Sequence, residues 1–300
     1  MTKEIHNIPS FNKAFSQFLN KHDKIILKLF NIIASFKKDI PNTYKYSSKY
    51  PPKRSIYKYT DKLFVGCILY IILNNMSWIS FIGPIPGKQV HKKFKEYIKK
   101  YNCFEILFNE SVEKYICTKS KEKLNIISVD SSAIYNKLST EIRYKNPFLK
   151  NKKCLKVTSL VDCEGTPLNI IVTDGNKHDS KILKENFTKI LVNNRIKEKL
   201  SKNSILLADK GYDSKIIRNK LKNANIKSII GYNKRNTKDK TKLRSLTKRQ
   251  NKIYKNRIKV EHYFGIIKRY PKINNVYEKS LESYLNIILF ASAKLIINRT

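Results

Sequence analysis

From about residue 124 onward, short apolar runs alternate with segments of helical periodicity, and this order limits the fold of the chain more than any other feature. The apolar runs are predicted to be strands, at 124–130, 155–162, 167–173, 204–209 and 227–232. The second and third flank Asp162-Cys-Glu-Gly165, a turn sequence that predicts an antiparallel hairpin. Helices are expected between and after the later runs, at 179–192, from 213, over 247–270 and at 281–297. The order predicts an α/β fold, with a mixed sheet flanked by helices.

Two of the predicted strands end in a carboxylate. Asp130 closes the first strand, and Asp209 closes the run that begins at Ser204. Side chains at the carboxyl ends of neighbouring strands meet in one crevice, so we expect these two aspartates to lie close together. Asp162 fits a turn, and Asp179 and Asp213 fit helix caps. Asp174, which also follows a predicted strand, is the alternative candidate for an aspartate of the site.

The segment 247–270 is predicted to be one helix that carries a third carboxylate. Thr247 with Gln250 forms a capping-box start, and Pro271 is expected to end the helix. At about 100° per residue, one stripe within about 60° of arc holds four polar side chains, those of Tyr254, Arg257, Glu261 and Lys268. A solvated salt-bridge face would give the same pattern. A helix packed beside the sheet would instead bring Glu261 to the two aspartates.

Asp130, Asp209 and Glu261 would together form a site for hard cations. Carboxylates without His or Cys partners suit Mg²⁺ or Mn²⁺ and suit zinc poorly. Two such ions, roughly 3.5 to 4 Å apart, can activate a water or a 3′-hydroxyl and stabilise the leaving oxygen of a phosphodiester. Tyr254, Arg257 and Lys268 would then hold strand phosphates, since cations on the same stripe complement them.

The charge of the chain indicates a polyanionic partner. Lys and Arg number 62 against 23 Asp and Glu, for a formal net charge of +39. Nucleic acid is the commonest partner of such a field, and an anionic membrane surface is the rival. The longest apolar run, Leu63 to Leu73, is about half the roughly 20 residues that span a bilayer. The N-terminus lacks a signal-peptide pattern, and five cysteines lack CxxC spacing, so we expect an intracellular protein with no membrane partner.

The N-terminal third is predicted to be all-α. Residues 1–58 are expected to form a helical N-terminus and a basic linker, and residues 59–120 a small helical domain. Helices at 61–73, 77–82 and 88–101 would give a helix-turn-helix-like arrangement, whose last helix offers Lys88, Gln89 and Lys92 to DNA. Any three-helix bundle gives the same pattern, so a purely structural role is the alternative.

The motifs of the C-terminal part resemble a known family. Tyr254-x2-Arg257-x3-Glu261-x6-Lys268 is similar to the Y-R-E-K signature of insertion-sequence DDE transposases. Val129-Asp130-Ser131 and Leu207-Ala-Asp209-Lys-Gly-Tyr212 resemble the blocks around the two catalytic aspartates of that family. The resemblance implies an RNase H-like catalytic domain over 121–300, preceded by the small all-α domain. It also implies that Asp130, Asp209 and Glu261 bind two Mg²⁺ or Mn²⁺ ions and are catalytic.

The function implied is metal-dependent cleavage of DNA strands at transposon ends, followed by strand transfer into target DNA. The partners would be double-stranded DNA, as inverted-repeat ends and as target, and a second copy of the chain, because both ends are engaged together. The protein would work at DNA, in the nucleoid or the nucleus. Only 52 residues separate Asp209 from Glu261, so the large insertion of some relatives is absent. The alternatives are a non-catalytic basic DNA-binding protein, domesticated or decayed, and an RNase H-like host nuclease.

Overall fold

The computed structural model describes most of the chain, namely residues 9–38, 59–74, 76–118, 124–136, 138–142, 145–146, 151–191, 204–233 and 245–300. The predicted basic linker, at 41–58, lies outside the described residues. The described N-terminal part is helical, with α1 (Pro9–Lys21), α2 (Asp23–Lys38), α3 (Asp61–Leu73), α4 (Gly87–Tyr101) and α5 (Cys103–Thr118).

Local sequence signals set the bounds of α3 and α4. The Thr60 side chain accepts a hydrogen bond from the Leu63 amide and begins α3. Asn102, in the left-handed conformation with φ 44°, ends α4, and α5 follows directly. One face of α4 is buried, and it consists of Val90, Phe94, Tyr97, Ile98 and Tyr101. The predicted helix at 77–82 is wrong, because Ser77 and Ser80 close a turn there by mutual hydrogen bonds.

The sheet is mixed, as predicted. Its strands are β1 (Ile126–Tyr135), β2 (Lys145–Asn146), β3 (Lys152–Val161), β4 (Pro167–Asp174), β5 (Ile205–Ala208) and β6 (Lys227–Ile230). The main order is β4-β3-β1-β5-β6, and the short β2 also pairs with β3. β1, β3 and β4 are antiparallel neighbours, whereas β1, β5 and β6 run parallel. The predicted hairpin between β3 and β4 is confirmed, and Gly165 in its turn has φ +78°.

Helices cover this sheet and tie it to the N-terminal part. They are α6 (Asp179–Leu191), α7 (Lys215–Asn223), α8 (Lys248–Tyr254), α9 (Ile258–Ile267), α10 (Pro271–Asn274) and α11 (Leu281–Ile297). α11 is almost wholly buried, and it packs against α5 on one side and β4 on another. The Phe104 and Phe290 rings lie 5.3 Å apart at the contact with α5. The buried core is therefore continuous from α2 to α11, and the three predicted domain ranges stay predictions.

Two predictions about the site elements are wrong. Asp130 does not end a strand, because β1 continues to Tyr135 on the strength of its pairing with β3. The segment 247–270 is not one helix, because a 3-10 turn (Lys255–Arg257) separates α8 from α9, and α9 ends at Ile267, four residues before Pro271. The capping box of Thr247 and Gln250 at the start of α8 is confirmed.

A buried polar cluster joins the segment before α4 to the segment after α10. Trp78 is buried, and its Nε1 donates to Glu278 Oε1 at 2.8 Å. The Lys272 ammonium lies 3.5 Å from the same oxygen and 4.9 Å from the centre of the indole ring. The His91 ring stacks on the Trp78 indole, with the ring centroids 4.9 Å apart.

Among the described residues, every helix is too short or too polar to span a bilayer.

Candidate active site

Asp130 and Asp209 lie side by side on neighbouring strands. The parallel pairing of β1 with β5 ends at the pair Val129 and Ala208, so both aspartates directly follow the last paired residues. Asp130 therefore stands where the partner strand ends, although its own strand goes on. The two aspartates lie on neighbouring strands, as the sequence predicted. The register of β1 and β5 places them there, since only β5 ends at this point.

Arg257 connects the sheet to the third predicted acid. Its Nη1 donates to Asp130 Oδ2 at 3.2 Å, and its Nη2 donates to Glu261 Oε1 at 2.8 Å. The Asp130 and Arg257 side chains are 22% and 20% exposed, whereas Glu261 is 53% exposed. The guanidinium thus lies between a half-buried aspartate and a solvent-facing glutamate. It is the positive charge that offsets the acidic side chains in this structure.

The charges of the site act on one another. Burial raises the pKa of Asp130 above its ordinary value, the Arg257 guanidinium opposes that rise, and the negative charge of Asp209 adds to it. Burial alone would lower the pKa of Arg257, but the negative charges of Asp130, Asp209 and Glu261 raise it. The site therefore concentrates negative charge that a cation stabilises.

Tyr254 faces the same acidic side chains from the end of α8. Burial raises the pKa of its phenol, and the charges of Asp209, Asp130 and Glu261 raise it further. Tyr254 therefore stays protonated at neutral pH and can donate a hydrogen bond. Its ring lies 5.8 Å from the Arg257 guanidinium. The 3-10 turn directly follows Tyr254, and the Tyr254 side chain still lies close enough to the acidic residues for their charges to act on it.

Three residues support the site although no role there was predicted for them from the sequence. Ser131 Oγ bonds to the Tyr212 hydroxyl at 2.6 Å, which ties the turn after Asp209 to β1. Asp179, predicted only as a helix cap, pairs with Lys156 at 3.1 Å. Its charge raises the pKa values of both Asp130 and Tyr212, after the larger effect of burial. No local signal reveals this, because a cap and a site-facing aspartate occupy the same position at the start of α6.

The remaining predicted DNA contacts are Lys268 and three residues of α4. Burial alone lowers the pKa of Lys268, so the carboxylates do not act on it as they act on Arg257. Lys88, Gln89 and Lys92 are exposed on α4. Their predicted roles in DNA binding stay predictions.

The three predicted acids are chemically suited to bind a hard divalent cation. Asp130, Asp209 and Glu261 offer carboxylate oxygens at one edge of the sheet, which is the ligand type of Mg²⁺ and Mn²⁺. In the ranges that the structure describes, however, no three His, Cys, Asp or Glu side chains are gathered closely enough to hold an ion together. In this structure Glu261 Oε1 accepts a hydrogen bond from Arg257.

A mixed sheet of this order, with acidic side chains on adjacent parallel strands and helices around it, is the RNase H-like fold that the sequence resemblance implied. Residues 121–293 match the family model described as the transposase DDE domain. The chain belongs to the DDE transposase family, and the resemblance found in its sequence is confirmed.

Solved structures give a fainter likeness. A pre-cleavage Mos1 transpososome aligns at 10% identity and a TM-score of 0.28, covering 89% of this chain and 84% of the other. The Mos1 mariner paired-end complex with Mn aligns at 12% identity and a TM-score of 0.29, covering 90% and 86%. Among curated proteins, none matches the sequence significantly.

Proposed function

We propose that this transposase cleaves DNA strands at the ends of its element and joins them to target DNA, with Asp130, Asp209 and Glu261 as the catalytic residues. One observation carries the proposal. Arg257 is hydrogen-bonded at the same time to Asp130 and to Glu261, which are distant along the chain, beside the register position of Asp209. A purely structural salt bridge on a helix face would need only the Arg257 and Glu261 pair.

The carboxylates of these three residues would hold two Mg²⁺ or Mn²⁺ ions. When bound, such ions activate the attacking oxygen and stabilise the leaving oxygen of the phosphodiester. Members of the DDE transposase family use divalent metals, which supports this choice of cofactor. Glu261 is the half-exposed member, so its side chain is free to turn from Arg257 toward the aspartates.

Arg257 would change partners in the same step. A guanidinium binds a phosphate in the same forked geometry that it uses for a carboxylate. Arg257 would bind a phosphate of the cleaved strand in place of the carboxylates. Tyr254, which keeps its proton, would donate to a neighbouring phosphate oxygen. Lys268 would add positive charge farther along the strand.

The DNA partners would be the inverted-repeat ends and the target duplex. Lys88, Gln89 and Lys92 on the exposed side of α4 would contact the ends. Two ends must be held together for both to be joined to one target, so the working form would be a homodimer on DNA. The protein would act where the DNA is, in the nucleoid or in the nucleus.

The test is a cleavage assay on a labelled duplex that carries the end of the element, with Mg²⁺ and in parallel with Mn²⁺. We expect Asp209→Asn to bind the duplex as the wild type does and to lose cutting. Glu282→Gln, which removes an exposed carboxylate on α11, is the matched control and should keep both.

The outcomes separate the rival functions. Equal nicking by the wild type and by Asp209→Asn would remove the catalytic assignment. Tight binding by the wild type without any cutting would indicate a DNA-binding protein that has lost catalysis. Cutting without joining, at ends and at unrelated sequences alike, would indicate a nuclease.

A further inference from the structure

The strand pairing that brings Asp130 and Asp209 together ends one residue before them. β1 and β5 are paired in parallel as far as Val129 and Ala208. Beyond this pair β1 continues against β3, whereas the other chain segment leaves the sheet and forms the 3-10 turn Lys210–Tyr212. The register of the strands therefore does not by itself fix the position of Asp209 relative to Asp130.

A continuous path of hydrogen bonds joins the two aspartates beyond the paired strands. The Tyr212 amide donates to the Asp209 carbonyl at 2.9 Å and closes the turn. The Tyr212 hydroxyl bonds to Ser131 Oγ at 2.6 Å. The Ser131 amide in turn donates to Asp130 Oδ1 at 2.8 Å. Three hydrogen bonds thus connect the backbone of one aspartate to the carboxylate of the other.

The middle of this path is shielded from water. Tyr212 is 1% exposed, and Thr158, on β3, is 2% exposed. Ser131 Oγ bonds to Thr158 Oγ1 at 2.7 Å as well as to the Tyr212 hydroxyl. In such surroundings water competes little for these hydroxyl groups, so each bond holds its partner more firmly than it would at the surface.

The turn is packed on its other side against the start of α6. A Cβ on Gly211 would lie 3.2 Å from Asp179 Oδ2, so this carboxylate lies directly against the turn. Asp179 Oδ1 pairs with Lys156 Nζ at 3.1 Å, and the same ammonium donates to the Lys177 carbonyl at 2.8 Å. The start of α6 is thereby held to β3, and the turn lies between α6 and β1.

We infer that Tyr212 is a positioning residue whose hydroxyl, through Ser131, sets the separation of the Asp130 and Asp209 carboxylates. This inference rests on the proposed function, because the separation matters for two ions that lie roughly 3.5 to 4 Å apart. A purely structural role would use the same hydrogen bond to satisfy a buried phenol. The two roles differ in their consequence, since a structural role changes stability alone, whereas positioning also changes metal affinity and the cleavage rate.

The test variant is Tyr212→Phe in the full chain. Removing a group that orients metal-binding side chains typically costs about 10- to 100-fold in metal affinity or activity. We expect the variant to bind Mn²⁺ at least about tenfold more weakly in calorimetry without DNA. It should also cut a labelled element end at least about tenfold more slowly at saturating DNA. Its affinity for the same duplex without metal should stay within about twofold of the wild type, because the phenol is buried and does not reach the DNA.

Tyr284→Phe is the matched control. Its hydroxyl is also buried and donates to the Ile273 carbonyl at 2.7 Å, away from the acidic residues. The control should lower the melting temperature about as Tyr212→Phe does and keep the wild-type Mn²⁺ affinity and cleavage rate. Equal losses of Mn²⁺ affinity in both variants would overturn the inference, since they would report general destabilisation.

Ser131→Ala removes the same hydrogen bond from the other side. Because Tyr212 is inferred to act through Ser131, the double variant should lie within about threefold of the weaker single variant in Mn²⁺ affinity and in rate. Losses that multiply would overturn the inference. Should Tyr212→Phe fail to fold, Ser131→Ala carries the test against Ser111→Ala, which removes a buried hydroxyl bonded to the Leu107 carbonyl on α5.

Two further results would also overturn the inference. One is wild-type Mn²⁺ affinity and cutting in Tyr212→Phe, and the other is a loss of DNA affinity with unchanged Mn²⁺ affinity, which would assign the phenol to the DNA. A failure of the proposed function is a separate result, since it is read from cutting by the wild type and by Asp209→Asn. The Mn²⁺ affinities of the Tyr212 and Ser131 variants are measured without DNA and without cleavage.

Discussion

Glu278→Gln tests whether the buried cluster around Trp78 stabilises the protein through its charge. The Lys272 and Glu278 side chains are only 3% and 5% exposed. Glutamine has nearly the same shape as glutamate, and its Oε1 can still accept the Trp78 hydrogen bond. The substitution therefore removes the negative charge and leaves the Lys272 ammonium buried.

The expected cost is large for one substitution. Removing one partner of a buried ion pair costs about 3 to 5 kcal/mol, because the other charge is left uncompensated. The cation–π contact with the indole ring, 4.9 Å from the ammonium, is present in both proteins, so it cancels from the difference between them. We therefore expect the free energy of unfolding to fall by about 3 kcal/mol at neutral pH.

The loss should shrink as the pH rises. Burial lowers the pKa of Lys272, and the charge of Glu278 opposes that shift, so the variant should have a still lower pKa in the folded state. Between that pKa and the unfolded value of about 10.4, the unfolded chain binds more protons, and stability rises with pH. The variant enters this window at a lower pH than the wild type, so the difference between them narrows in alkaline solution.

Urea unfolding followed by circular dichroism, at neutral pH and near pH 9.5, measures both quantities. Glu282→Gln, at an exposed position, is the matched control and should change stability by less than about 0.5 kcal/mol. The reasoning is refuted if Glu278→Gln is as stable as the wild type at neutral pH, or if its deficit stays constant with pH.

Three further predictions concern other contacts. Tyr115→Phe removes the hydroxyl that donates to Asp162 at 2.6 Å and should cost about 1 to 3 kcal/mol in urea unfolding, whereas Tyr277→Phe at an exposed position should cost little. Gly87→Ala should destabilise the protein by about 1 to 3 kcal/mol, because its Cβ would lie 1.8 Å from the Trp78 carbonyl oxygen. Gly265→Ala, with open space around it in α9, should instead stabilise the protein by about 0.5 to 1 kcal/mol. The reverse order of stability would contradict both predictions. Arg257→Gln should bind Mn²⁺ at least about tenfold more tightly than the wild type in calorimetry without DNA, because a positive charge is removed from between the carboxylates. Arg257→Lys should bind nearly as the wild type does. Weaker binding by Arg257→Gln would count against the proposed move of Arg257 from the carboxylates to a phosphate.

Local patterns in the sequence were enough to predict most elements. α3 and α11 have the predicted bounds, Asp61–Leu73 and Leu281–Ile297, because a cap and an unbroken apolar run are both local signals. The β3–β4 hairpin was predictable from its turn for the same reason. The order of these elements then favoured a mixed sheet, since few topologies are compatible with a hairpin followed by alternating helices and strands.

The candidate site was only partly predictable. Its acidic residues were proposed because each aspartate follows an apolar run and Glu261 lies on a polar stripe of helical period, and these residues match the motifs of the family. The hydrogen bond of Arg257 to Asp130 joins residues 127 positions apart, and the roles of Asp179 and Tyr212 depend on how α6 and the turn after β5 pack on β1. The length of β1 beyond Asp130 likewise depends on its antiparallel partner β3.

The sequence by itself predicted most of the helices and strands, a polyanionic partner and three candidate acids. Only the tertiary structure decided that Arg257 lies between Asp130 and Glu261 and that a 3-10 turn separates α8 from α9. The physical reason is the range of the interactions. Propensity, capping and periodicity act over a few residues, whereas ion pairs, burial and the fields that shift pKa values depend on neighbours that folding brings together.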